Sequence, residues 1–288
     1  MISKNKNATR KPWRKILYEN QNYPDNYTDK NIFLRDLRKN IDFKEVSFWE
    51  AVFGANLLLQ EFCTVVLFFI IYFYIVNKWT EPSVILNITS CLTLLGFLLY
   101  LLKFKGSIKQ KLGHDLRTVL TFVVFGQLFS PVLHTLTDTI STDTIYTLTF
   151  LMMLIHLIFF DYGVSAAIVS KSLSLSAAIF PSICLASRLS SASEAFILMT
   201  VATKAFVLFP ILRIEFHNSI LISIILLVIN TYLLFWISNL VTFLFIVAVI
   251  LINVICPLLF VKYQKLKDNI YGPWDEAIVD DADSVIGF

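Results

Sequence analysis

The sequence predicts an all-α, polytopic transmembrane bundle of about eight helices with both termini cytosolic, and three observations carry that expectation. Of 288 residues, 57% are hydrophobic and only 16% charged, where soluble domains have roughly 45 to 50% and about 25%. The apolar residues gather in runs near the roughly 20 residues that cross a bilayer core of about 30 Å as helix, and in lipid only helices or closed barrels satisfy their backbone groups. Lys and Arg are segregated by loop, with eleven of the 24 preceding residue 50.

Residues 1–50 read as a basic cytosolic arm. Met1 to Asn40 is polar and holds no apolar stretch of the kind a cleaved signal peptide carries, so insertion is expected to start from an internal helix. The bundle is expected over 51–261, with spans near 51–76, 83–102, 118–135, 144–160, 164–186, 194–212, 219–238 and 240–261. Residues 262–288 form a cytosolic tail. The run from Ser219 to Val261 is too long for one span, and its only polar interruption, Ser238-Asn239, predicts a tight hairpin. The fifth span is rich in Ser and Ala and holds Lys171 and Pro181. Small residues let helices approach closely, which suits a segment buried among others.

Orientation follows from cations counted over short loops. With the N-terminus cytosolic, the same side receives Lys103, Lys105, Lys109, Lys111 and Arg117, and then Lys262, Lys265 and Lys267, while the opposite loops hold only Lys78 and Arg188. That bias requires an even number of crossings. It also places Asn7 and Asn26, two formal glycosylation sequons, on the cytosolic side, and Asn87 within a span, so all three are expected to be unmodified.

The four cysteines, Cys63, Cys91, Cys184 and Cys256, each lie inside an apolar run without metal-ligand spacing and read as small core residues. Charges inside spans are expensive and are therefore candidates for function or packing. Glu61, beside Gln60, is expected to be paired or protonated. Lys171 is placed about 12 Å past Gly163 along a helix, from where its ammonium snorkels to the cytosolic surface within reach of a lipid phosphate. Lys204 lies nearer mid-membrane and reads as a helix-packing group or one awaiting an acidic partner. His156 and Asp161 are five residues apart, on different helix faces, which speaks against a shared metal site. Asp161, Tyr162 and Gly163 form a tight turn in which Asp bonds its own backbone and Gly allows positive φ. In the opposite loop, His134 and Asp138 share helical spacing, and Thr142 or Asp143 is suited to cap the fourth span. No nucleophile with an oriented base is legible, and Asp281-Ala282-Asp283, the form of a sugar-nucleotide metal pair, sits in an acidic tail. No G-x-G-x-x-G, P-loop, H-E-x-x-H or nucleophile elbow occurs, so neither a metal nor a cofactor is expected.

Five polar strings are more distinctive than the apolar ones: WRKILYENQNYPDNY (13–27), FSPVLHTLTDTISTDTIYTLTF (129–150), HLIFFDYG (156–163), AAIVSKSLSLSAAIFPSICLASRL (166–189) and NIYGPWDEA (269–277). In order and spacing they resemble the PIG-C family from about Trp13 to Ala277. The resemblance implies a multispanning endoplasmic-reticulum subunit of the complex that transfers N-acetylglucosamine from UDP-GlcNAc to phosphatidylinositol in the first step of GPI-anchor synthesis. It implies PIG-A, PIG-H, PIG-P, PIG-Q and PIG-Y as partners, catalysis on PIG-A, and no catalytic residue on this chain. About 50 polar residues at the N-terminus are too few to bind a sugar nucleotide, which agrees.

The leading expectation is thus a noncatalytic scaffold that anchors the catalytic subunit and presents phosphatidylinositol, with Asp161, Tyr162, Gly163, Lys171 and Glu61 as candidate headgroup or helix-packing residues. The basic arm from Trp13 to Lys44 is a second candidate, for docking partners or anionic lipid. The alternatives are an intramembrane lipid enzyme, in which Glu61, His134, Asp138 and Asp161 converge on a cavity, and a transporter with inverted repeats, of which the two halves show no trace.

Overall fold

The structure is a computed structural model, which describes residues 23, 24, 27, 37–40, 43–103, 108–137, 139–163, 169–215 and 220–271. The chain divides into two compact units, one of Ser47–Val261 and one of Met1–Val46 with Lys262–Phe288.

The larger unit is helical throughout. Its elements are α1 (Phe48–Val76), α2 (Pro82–Lys103), α3 (Ile108–Thr135), α4 (Thr142–Phe159), α5 (Lys171–Ala186) and α6 (Ala192–Thr203). The last continues through a π-helical turn, Lys204–Leu208, into α7 (Phe209–Glu215). They are followed by α8 (Ile220–Ile237), α9 (Asn239–Ile250), a second π-helical turn at Leu251–Ile255, and α10 (Cys256–Tyr263). By length and composition, seven helices among the described residues are able to cross a membrane. The eighth apolar helix, α5, is shorter at 16 residues. It does not begin near residue 164 as the hydropathy suggests: residues 164–168 lie outside the described part, and helical structure starts at Lys171, behind the bond from Ser170 N–H to the Phe159 carbonyl (3.2 Å).

Local sequence explains the boundaries. Ser47 and Glu50 form a reciprocal capping box at the start of α1, each side chain accepting from the other's backbone N–H (3.3 and 2.9 Å). The cap of α4 is Ser141, whose Oγ accepts from Thr144 N–H, and not Thr142 or Asp143, which both lie inside the first turn. The extended backbone of Ser238 divides the long apolar run into α8 and α9, as its polarity predicts. Helix α3 starts ten residues before the apolar stretch, because Lys, Gln and Leu in IKQKLGHDLR are good helix formers even without lipid around them.

Helix α1 is the axis of the bundle. On one side Val65, Phe68, Tyr72 and Ile75 join Ile145 and Met153 of α4, Ala178, Leu185 and Ala186 of α5, and Leu198, Val201, Ala202 and Phe206 of α6 and its π turn. On the other, Leu59, Cys63 and Ile70 pack with Leu234 of α8 and Phe245 of α9. The outer helices α2, α3, α8 and α9 present most of their apolar surface outward, as a membrane-embedded rim does. Cys63 and Cys184 are buried, but Cys91 and Cys256 are exposed on that rim, so only two of the four are core residues. An apolar run marks contact with oil, not with protein.

In the smaller unit, β1 (Arg38–Lys39) pairs antiparallel with β2 (Ile270–Tyr271), Arg38 opposite Tyr271 and Lys39 opposite Ile270. The Gln264 carboxamide extends this pairing by accepting from Val46 N–H and donating to the Val46 carbonyl, both at 3.0 Å. Lys39 meets Asp268 at 3.0 Å. The segment leading into α1 is thereby tied to the one leaving α10.

Candidate functional site

Three charged side chains meet inside the larger unit. Glu61, from the middle of α1, is fully buried. Its Oε1 lies 3.0 Å from Nε2 of His156, in the last turn of α4, and its Oε2 lies 3.0 Å from Nη1 of Arg213, near the end of α7. The expected pairing of Glu61 is present, and its partners are residues that hydropathy discards: His156 as a lone helix residue and Arg213 as a span-ending cation.

Hydrogen-bond roles fix the protons. His156 Nδ1 is 2.9 Å from both the carbonyl and the hydroxyl oxygen of Ser174, in the first turn of α5, and that hydroxyl in turn donates to the His156 carbonyl at 3.2 Å. A carbonyl only accepts, so in the tautomer that bonds it Nδ1 carries a proton. Nε2 and Glu61 Oε1 then hold one further proton between them, as an imidazolium–carboxylate pair or as imidazole and carboxylic acid. Either way the pair is neutral, and Arg213 leaves the cluster with one net positive charge.

The surroundings are built for that charge. His156 and Arg213 both stand in the last turns of helices, where the backbone carbonyls supply negative potential. Arg213 also reaches the Leu57 carbonyl (3.4 Å), and its guanidinium lies 4.9 Å from the Phe160 ring centroid. Phe160 and Phe206 stand edge-on to His156 at 5.5 and 5.1 Å and keep the network dry.

Next in the chain is the turn that sequence singles out. Gly163 has φ +80°, and its N–H donates to Asp161 Oδ1 at 2.9 Å. Asp161 pairs with Lys171 at 3.2 Å. The bond from the Gly163 backbone, then Lys171, hold the Asp161 carboxyl below the usual carboxylate range. Tyr162 donates to the Leu157 carbonyl at 2.7 Å and packs on Phe160. Burial, then the Glu61 charge, push its phenol up. Lys171 is not 12 Å inside a span: it is the first residue of α5, with 80% of its side chain exposed.

The other candidates scatter. His134 Nε2 lies 2.9 Å from the Leu189 carbonyl, past the C-terminal end of α5, whereas the network meets α5 at Ser174 in its first turn. Asp138, residues 1–22 of the arm, and Asp281 to Asp283 lie outside the described residues. Among the described residues no three His, Cys, Asp or Glu side chains converge on a metal position.

A family model described as phosphatidylinositol N-acetylglucosaminyltransferase (GPI2) matches residues 13–275. The chain belongs to this family. Family members similar to it include the C subunit of phosphatidylinositol N-acetylglucosaminyltransferase from Homo sapiens, 40% identical over 274 residues that cover 92% of each chain. The putative C subunit of the same transferase from Dictyostelium discoideum is 37% identical over 93% of this chain and 79% of its own. The GPI2 subunit of Schizosaccharomyces pombe is 28% identical over 93% and 87%. No solved structure matches. The resemblance to PIG-C read from the polar strings is thus the family membership itself, and the relatives are subunits of a transferase.

Proposed function

We propose that this chain is the noncatalytic membrane subunit of the complex that transfers N-acetylglucosamine from UDP-GlcNAc to phosphatidylinositol. It scaffolds the catalytic subunit in the endoplasmic-reticulum membrane and offers the acceptor lipid a docking point at the turn before α5. The family supports the assembly. The observation that supports a scaffold is the Glu61 network, which pairs a buried carboxylate, imidazole and guanidinium with one another and so ties α1, α4, α5 and α7 together.

An intramembrane enzyme is the rival with a specific observation behind it, because Glu61, His156 and Ser174 stand in the order of an acid, base and nucleophile. The hydrogen bonds oppose it. The nitrogen facing Ser174 also bonds the Ser174 carbonyl, and in the tautomer that makes that bond it is protonated and does not take the hydroxyl's proton. The lipid-docking reading rests on Lys171, an exposed ammonium beside a rigid turn, which on cytosolic orientation lies at headgroup depth and matches the phosphate of phosphatidylinositol.

The test is reconstitution. The purified chain alone in phosphatidylinositol vesicles with UDP-GlcNAc is expected to yield no glucosaminylated lipid, while the co-purified complex does. Product from the isolated chain would end the noncatalytic reading. In the complex, Lys171→Ala is expected to raise the phosphatidylinositol concentration needed for half-maximal rate without changing which partners co-purify. An unchanged lipid dependence removes the docking role.

A further inference from the structure

Lys204 is a second cation in the membrane, and among the described residues no carboxylate pairs with it. It sits where α6 passes into the π turn, twelve residues after Ala192 and nine before Arg213, the ends of that apolar span. At 1.5 Å per residue those are about 18 and 14 Å, the middle of a core about 30 Å thick. Neither surface is within reach of a lysine stem. The ammonium instead donates to two hydroxyls of α2, Thr89 Oγ1 at 3.1 Å and Ser90 Oγ at 2.9 Å. Among the described residues no acidic group lies within ion-pair distance of it.

Its position points outward. Thr89 and Lys204 are half-buried, whereas Ser90, Asn87 and Cys91 are exposed on the outer surface of α2. These polar groups interrupt a rim otherwise made of Ile88, Leu92, Leu94 and Leu95. A charge at this depth in contact with hydrocarbon costs several kcal/mol, commonly about 3 on insertion scales. Two neutral hydroxyls use two of its three N–H donors and none of its charge. The contrast with Arg213 is informative, since that cation has the Glu61 carboxylate and the Leu57 carbonyl. Wide turns of the π type also recur where a helix serves a function beyond packing.

We infer that Lys204, with Ser90 and Asn87, is an intramembrane docking point for a transmembrane helix of a partner subunit that carries an Asp or Glu at mid-membrane depth. Depth excludes a lipid phosphate, which stays near the surface. Charge complementarity selects a carboxylate. The small side chains of Ser90 and Cys91 let a second helix approach α2 closely. The inference rests on the chain's membership of a multisubunit complex and names where one neighbour binds.

The experiment uses the full chain, affinity-tagged, expressed in cells and solubilised with its complex. Lys204→Met is expected to reduce co-purification of one membrane-spanning subunit by about tenfold, equivalent to about 1.4 kcal/mol, while Lys204→Arg keeps it. The lost subunit must hold a carboxylate in a span, and replacing that carboxylate with a neutral residue must reproduce the loss. A photo-crosslinking residue at Asn87, in a chain with Lys204 intact, is expected to label that same span, which covers the case in which Lys204→Met fails to fold. Adducts with lipid only, or wild-type subunit ratios in Lys204→Met, overturn the inference. If the wild-type chain itself brings down no other subunit, the assembly reading is what fails.

Discussion

Glu61 and Arg213, 152 residues apart, face each other across 3.0 Å with the acid fully buried and the guanidinium 4% exposed. The carboxylate is shared with His156, so one side chain fastens α1 to both α4 and α7.

Breaking a buried pair by removing one member strands the other, at a cost of about 3 to 5 kcal/mol, whereas replacing the whole set with apolar groups is often neutral. Glu61→Leu should therefore lower the melting temperature of the detergent-solubilised chain sharply, and Arg213→Met should do the same. The double variant is expected to be more stable than the sum of the two losses predicts, because neither the carboxylate nor the guanidinium is left without the other. Additive losses would show that the three residues do not act as a unit.

The close approach of α3 to α6 runs over Gly126, where an added Cβ would meet the Phe196 ring at 2.8 Å. Gly126→Ala should destabilise by about 1 to 3 kcal/mol through overpacking. Combining it with Phe196→Leu should recover much of the loss, as measured by thermal unfolding of the solubilised chain. Gly54, with open space around its Cβ position, tolerates alanine and serves as the control.

Much of the fold is legible in the residues alone, and what is not has a physical cause. Hydropathy locates spans because lipid penalises polar backbone and side chains alike, and the Ser238 break and the Asp161 to Gly163 turn follow from local chemistry. Hydropathy is blind to partners. Glu61 is visible as an expensive charge, but Arg213 hides at a span boundary and His156 among apolar neighbours, and only the packing of four helices brings them together. Cys91 and Cys256 escape a sequence reading for the converse reason: a residue that faces oil and one that faces protein look the same in sequence. The start of α5 escapes it because Val164 to Val169 is apolar enough for a span, and nothing local announces Ser170 as the boundary.

At the turn, Gly163 has φ +80° with no atom of the described residues near its Cβ position, so the cost of a side chain there is chiefly conformational. Gly163→Val should cost about 1 to 2 kcal/mol, as forcing a β-branched residue into the left-handed region does, and Gly163→Asn less. If the turn positions Lys171 for the acceptor lipid, the order of half-maximal phosphatidylinositol concentration will follow the same series, wild type below Asn below Val, in an assay of the intact complex.

The same turn carries a pH signature. The Asp161 carboxyl titrates below its ordinary value because the charged form accepts from the Gly163 backbone and meets Lys171. A group depressed in the folded state stabilises fully above its unfolded value, and that contribution disappears as pH falls through the folded one. The turn should thus stay intact through neutral and mildly acidic pH and loosen only below the usual carboxylate range. Carboxyl carbon chemical shifts of the labelled chain would follow this, and Lys171→Ala should move the midpoint upward. The pair is open to solvent, so the same substitution should leave melting at neutral pH within about 1 kcal/mol.

The pairing of β1 with β2 bears on the path through the membrane. Arg38 and Tyr271 are partners in one ladder, so the chain entering α1 and the chain leaving α10 are expected to share one side of the membrane. An even number of crossings follows, which the seven long helices supply only if the 16-residue α5 also crosses. Its ends fit that demand, since Lys171 opens it and Arg188, which donates to the Ile140 carbonyl at 2.8 Å, follows its other end beside the α3–α4 connection. A helix of 16 residues is about 24 Å long and crosses by drawing polar ends into a locally thinned bilayer. Single-cysteine labelling of intact microsomes checks this: cysteines at Lys39, Lys171 and Lys267 should react with a membrane-impermeant maleimide, and cysteines at Lys78 and Ser190 should react only after permeabilisation. Labelling of Ser190 together with Lys171 before permeabilisation would mean that α5 does not cross as the parity requires.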